Sequence, residues 1–150
     1  MPIRDVIGPE QVEIDLRVSD KAQLLRELSR RAAAAVSIDQ NVIYDALMAR
    51  ENLGSTGLGK AFALPHARFE TLPRAFALFV RLARPIDFAA IDGEPVDLII
   101  LLLTPANSGN QHLANLAALS RPLRNAAFMQ RLRQAPDATA LHKLLAAPDV

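Results

Sequence analysis

One stretch of the chain gathers residue types that can do chemistry together: Arg50-Glu51-Asn52-Leu53-Gly54-Ser55-Thr56-Gly57-Leu58-Gly59-Lys60-Ala61-Phe62-Ala63-Leu64-Pro65-His66-Ala67. Glycines and small hydroxyl residues let backbone N–H groups approach an oxyanion closely. His66 can supply a nucleophilic nitrogen beside them, and Pro65, with its fixed φ, can aim the ring from a strand end. Arg50 can grip phosphate oxygens through two N–H donors. A second histidine, His112, follows the helix N-cap candidate Asn107-Ser108. It is expected in the first helical turn, where free N–H groups and the positive dipole end stabilise a phosphoryl group. The combination implies phosphate chemistry carried on a histidine.

Two other chemistries compete and fail. Gly54-x-x-x-x-Gly59-Lys60 matches most of the nucleotide-binding P-loop, but Ala61 stands where Ser or Thr would reach magnesium. The context is also reversed, because the P-loop follows a strand and opens a helix. A metal site would need His66, His112 and His142 together, yet they are far apart and none lies in a short ligand-spaced motif. His142, on a terminal helix beside Lys143, is expected to face solvent.

The elements that must hold these residues follow from periodicity. Asp20 with Gln23 reads as a capping box opening a helix with Leu24, Leu25, Leu28, Ala32 and Ala35 at helical spacing. A second helix follows Asp39, with Val42, Ile43, Ala46 and Leu47 on one face, and should end near Asn52 with Gly54 in the left-handed conformation. Strands are expected at Phe62–Leu64, Phe76–Leu82 and Leu98–Leu103, with Arg84-Pro85 ending or bending the second. The last run is apolar on both faces, which suits a central strand covered by helices on two sides. Asp92-Gly93 and Pro95 supply a turn. A helix bearing Leu113, Leu116, Ala117 and Leu119 follows and breaks at Pro122. Phe128, Met129 and Leu132 belong to the next, and Asp137 caps a final one carrying Leu141, Leu144 and Leu145.

At 150 residues, with no linker or repeat, the chain reads as one α/β domain, residues 1–150, with helices around a small sheet. Hydrophobic residues make up 51% of it but aromatics only 5%, so Leu, Ala, Ile and Val must build the core. Its net charge of +1 argues against bulk affinity for nucleic acid. No segment approaches a membrane span, and the polar N-terminus does not read as a signal peptide. A cytoplasmic location is expected. The chain contains no cysteine, so it can form neither a disulfide nor a thiolate site.

The segment from Arg50 to Gly59, followed by Ala63-Leu64-Pro65-His66, resembles the phosphorylation signature of fructose/mannitol-type enzyme IIA domains of the phosphoenolpyruvate-dependent phosphotransferase system. The likeness continues through Pro85-Ile86-Asp87-Phe88, Ala90 to Leu98, Thr104-Pro105 and His112-Leu113, nearly the whole chain. Within that family it is most similar to the stand-alone nitrogen-regulatory members, whose length matches a single IIA module. It departs in Ala67, where glycine is usual, and its Lys60-Ala61 step is basic at a place where the family varies. Neither change removes a reacting group, and both bear on partner choice.

The resemblance implies a single α/β domain, a small mixed β-sheet flanked by helices on both faces. It makes His66 the phosphoacceptor and His112 its support, with Arg50, Ser55, Thr56 and Gly57 around the phosphate. The implied donor is the phosphohistidine of a small phosphocarrier protein (HPr-like). No metal or organic cofactor is implied. Such a protein either regulates transporter or sensor-kinase targets through its phosphorylation state or relays phosphate to a fructose/mannitol-type sugar permease. The stand-alone format favours the first.

Overall fold

The computed structural model describes residues 3–147, so the ends of the expected 1–150 domain lie outside the described residues. In chain order the elements are α1 (Ile3–Val6), β1 (Val12–Leu16), α2 (Lys21–Val36), α3 (Gln40–Leu53), β2 (Gly57–Gly59), β3 (Phe62–Ala63), β4 (His66–Phe69), β5 (Phe76–Ile86), β6 (Val96–Pro105), α4 (Gln111–Ser120), α5 (Ala126–Gln134) and α6 (Ala138–Ala146). The six strands form one mixed sheet ordered β1-β5-β6-β3-β2, with β4 also paired to β6. β6 runs antiparallel to β5 and parallel to β3 and β4.

β6 is central and covered on both sides, as its unbroken Leu/Ile run requires. Ile99, Leu101 and Leu103 pack into a core with α2 and α3 residues such as Leu25, Leu28, Ile43 and Leu47. Leu98, Ile100 and Leu102 face the other way, into Leu119, Phe128, Leu132, Leu141 and Leu145 of α4–α6. Period-two alternation along one strand therefore serves two cores.

Capping fixes the helix starts. Asp20 accepts the Gln23 N–H at 2.8 Å, while the Gln23 side chain accepts from Ser19, one residue earlier than in a capping box. Asp39 caps α3 and Asp137 caps α6, each accepting a backbone N–H.

Several expectations need correction. α3 runs to Leu53, and Gly54 closes it with φ 152° and ψ 144°, an extended positive-φ conformation rather than the left-handed helical one. That region is essentially open to glycine only. Val42 is half exposed and does not share the buried face of Ile43 and Leu47. Asn107-Ser108 lies in a turn, and α4 starts later, after Asn110, with no side-chain cap. Its buried side carries His112, Asn115 and Leu119, so Leu113 and Ala117 point outward. β5 continues through Arg84-Pro85 to Ile86, with a register irregularity against β6 that absorbs the proline.

β3 and β4 are two halves of one line along β6, since Phe62 pairs with Leu98 and His66 with Leu102 in the same offset. β3 ends at Ala63, leaving Leu64 and Pro65 between the halves. Pro65 interrupts the line without breaking it: its carbonyl still accepts the Leu102 N–H at 3.0 Å. His66 thus opens a strand segment rather than ending one.

Candidate active site

His66 enters the site with both ring nitrogens engaged. Nδ1 lies 2.8 Å from the Leu64 carbonyl oxygen, which can only accept, so Nδ1 carries the proton. Arg50 donates its Nε–H to Nε2 at 3.2 Å, so Nε2 holds the lone pair. The same guanidinium reaches back through Nη1 to the Gly54 carbonyl at 2.8 Å. Arg50 stands near the C-terminal end of α3, and this double grip ties the helix end, the glycine loop and the histidine together.

His112, in the first turn of α4, brings its ring centroid to 5.4 Å from that of His66, tilted by 55°. Its Nδ1 lies 2.5 Å from the hydroxyl of Thr104, which is fully buried on β6. Nδ1 is that hydroxyl's only hydrogen-bond partner among the described residues, so the hydroxyl donates and the ring proton sits on Nε2. Arg68 of β4 anchors the loop before α4 by donating to the Gly109 carbonyl at 3.1 Å.

Burial holds both histidines below their ordinary protonation range. For His66 burial dominates, the Leu64 carbonyl opposes it, Arg50 adds to the lowering and Glu51 works against it. His112 is pushed down to about 4, by burial first and then by the charges of His66 and Arg68. Both are therefore neutral at pH 7.

A cleft of about 510 Å³ brings Arg50, Ser55, Thr56, His66 and His112 together, bordered by Leu58, Leu113, Leu116 and Arg124. Gly57 does not line it. Its N–H is taken by the Ser55 hydroxyl at 3.0 Å, and a Cβ there would fall 2.7 Å from the Ala90 Cβ. This glycine is required by close packing against Ala90. Thr56 is likewise committed: its N–H and hydroxyl both donate to the buried Glu51 carboxylate. Lys21 pairs with that carboxylate at 2.8 Å and lies over the Phe88 ring.

Glu51, Thr104 and Arg68 are the participants that sequence reading missed. Glu51 stands inside the quoted stretch, and its adjacency to Arg50 was the one available signal. His142 also departs from expectation: its Nε2 lies 3.1 Å from the Ile7 carbonyl and is half-buried, joining α6 to the N-terminal segment. Among the described residues no group of three or more His, Asp or Glu side chains could hold a metal ion, and no helix is long and apolar enough to cross a membrane.

Residues 5–147 match the model of the phosphoenolpyruvate-dependent sugar phosphotransferase system EIIA 2 family. A nitrogen regulatory protein of Bradyrhizobium diazoefficiens is 42% identical over 148 residues, covering 99% of this chain and 97% of the relative. The crystal structure of nitrogen regulatory protein IIA-Ntr from Neisseria meningitidis superposes with a TM-score of 0.89 at 31% identity, covering 94% of this chain and 97% of that one. Enzyme IIAMTL of Escherichia coli, solved in complex with phosphorylated enzyme IIBMTL, shares the fold at 19% identity, with a TM-score of 0.79 over 93% of this chain and 96% of that one. A match spanning nearly every residue, over a cleft that gathers Arg50, His66 and His112, settles the assignment: this chain belongs to the EIIA 2 family of the phosphoenolpyruvate-dependent sugar phosphotransferase system.

Proposed function

We propose that this chain is the phosphoryl-accepting IIA component of a nitrogen-regulatory phosphotransferase system, taking phosphate from the phosphohistidine of a small phosphocarrier protein onto Nε2 of His66. The observation that carries this is the tautomer. The Leu64 carbonyl holds the proton on Nδ1, leaving a neutral ring with its lone pair on Nε2 beside an arginine. In the step, Nε2 attacks phosphorus, the P–N bond to the carrier breaks, and its electron pair returns to the carrier imidazole. The His66 ring then bears positive charge, which the Leu64 carbonyl stabilises through Nδ1–H. Arg50 must leave Nε2 and turn its donors onto the phosphoryl oxygens. His112 can donate from Nε2–H to the same oxygens. Positioning and charge stabilisation do most of the work in such transfers.

The output we propose is regulatory. Adding a group of charge about −2 to a surface cleft changes which proteins bind there. The similarity to nitrogen regulatory proteins favours this reading. Relay to a sugar permease is the second reading, favoured by the fold shared with an IIA protein that binds a phosphorylated IIB.

Incubation with phosphoenolpyruvate, the first enzyme of the relay and its phosphocarrier should add one acid-labile phosphate, and His66→Ala should abolish it. Full labelling of that variant would overturn the site assignment.

A further inference from the structure

Around His66 and His112 lies a surface that transfer chemistry alone does not require. Leu113 is 66% exposed and Leu58 48% exposed, and both border the cleft with the partly buried Leu116. The outward side of α4 supplies two of these, and α4 contains no charged residue from Gln111 to Ser120. An apolar, uncharged centre is what the core of a protein interface looks like.

The border of this centre has a sign. Arg124 lines the cleft, and Lys60 reaches across to the Arg124 carbonyl at 3.4 Å, beside Leu58. On the far side Arg68 stands close enough to His112 to oppose its protonation. Two acidic groups lie nearby. Glu51 is buried and paired with Lys21. Asp92, exposed, accepts the backbone N–H groups of Lys60 at 3.0 Å and Glu94 at 3.1 Å and keeps its charge, one anion against the cations of Lys60, Arg124 and Arg68. The whole chain carries only +1, so a cationic border here is a local arrangement and does not follow from composition.

We infer that this cleft is shaped for a phosphorylated protein whose own active-site patch is apolar at the centre and ringed by acidic side chains. The inference rests on the reading of His66 as phosphoacceptor and adds the charge of the partner's surface. Complementary rims chiefly speed encounter and reject wrong partners. Lys60, exposed on this border, is then a determinant of partner choice.

The test is the initial rate of transfer from the phosphorylated carrier to this chain, against carrier concentration, at about 20 and about 300 mM salt, which span weak and strong screening. For the unaltered chain the apparent second-order rate should fall about tenfold or more at the higher salt. The double variant Lys60→Glu/Arg124→Glu should lose about tenfold at low salt and become nearly insensitive to salt. Both positions are exposed, and a thermal melt confirms that the variant is folded. Binding of the unphosphorylated carrier should weaken in parallel. A variant with unaltered rate and salt dependence overturns the inference. So does a faster variant, which means a basic partner rim, or an effect confined to phosphorylated carrier, which means the cations serve only the phosphate. An unaltered chain that takes no phosphate overturns the acceptor reading itself, and is told apart because nothing is labelled at any salt.

Discussion

In the transfer we propose, Arg50 occupies the attacking nitrogen of His66 before any phosphate arrives. The contact is long for a hydrogen bond and one Arg50 donor is spent on the Gly54 carbonyl, so the guanidinium can rotate away and keep its anchor. Lysine could neutralise phosphate but could not bridge both positions with a planar fork. Arg50→Lys should slow single-turnover phosphorylation by about tenfold to a hundredfold while the fold persists. His112→Ala should slow transfer in both directions and leave His66 modifiable, because the nucleophile remains and a phosphate donor is lost; quench-flow labelling checks both. The pH dependence follows from burial. In the proposed step His66 reacts as the neutral ring, and its protonation is depressed below the ordinary histidine value of 6.5. The acceptance rate should fall on the acid side with a midpoint below 6.5. An acid limb at or above 6.5, in rates corrected for the carrier's own titration, would contradict the burial.

At the scale of elements, the loop between α3 and β3 is held by one carboxylate. Glu51 takes two donors from Thr56 and pairs with Lys21 at the start of α2, so loop and helix are locked together. Glu51→Gln keeps one acceptor oxygen and loses the ion pair, leaving Lys21 without its counter-charge. It should destabilise by about 1–3 kcal/mol in denaturant unfolding, since breaking a partly buried pair leaves one charge uncompensated. Gly57→Ala should cost a similar amount through overpacking against Ala90. Ala90→Gly should restore only part of it, because the Ala90 Cα remains 2.8 Å from the added carbon. What the sequence could reveal here depended on residue type. Arg50, His66 and His112 were legible because their types and order suffice. Glu51 and Thr104 were not, since a carboxylate reads as surface and a threonine as the end of an apolar run until folding brings their partners. The outward face of α4 was not legible for a different reason. Apolar periodicity marks a face that is buried by something, and it cannot distinguish a core from a docking surface. Short strands such as β1, β2 and β4 carry too few residues for alternation to show.

For the molecule as a whole, two cores share one sheet, and the site draws on both sides of that division. Arg50 comes from the α2–α3 layer, His112 from the α4–α6 layer, and His66 from the sheet between them. The buried His112 also links acid to stability. Its folded-state value lies near 4 against 6.5 for the free side chain, so between these limits the unfolded chain binds more protons. This contribution to stability is present above 6.5 and is lost progressively as pH falls toward 4, with a slope of at most about 1.4 kcal/mol per pH unit. Urea midpoints at pH 7, 5.5 and 4.5 should show a steeper acid decline for the unaltered protein than for His112→Asn. Equal slopes would remove His112 from that role.

The relation between the two histidines depends on a ruler. His66 pairs with Leu102, and His112 hangs from Thr104, two residues further along the same strand and on the same face. Their anchor points on β6, Leu102 and Thr104, are thus one pleat repeat apart, about 6.6 Å, a length that fluctuating loops cannot stretch. Such a ruler stays intact as long as the sheet does. Loss of phosphoryl acceptance on heating should coincide with the cooperative melting of the whole domain, without an earlier inactive but folded stage. Amides of the central strand should be among the last to exchange with solvent.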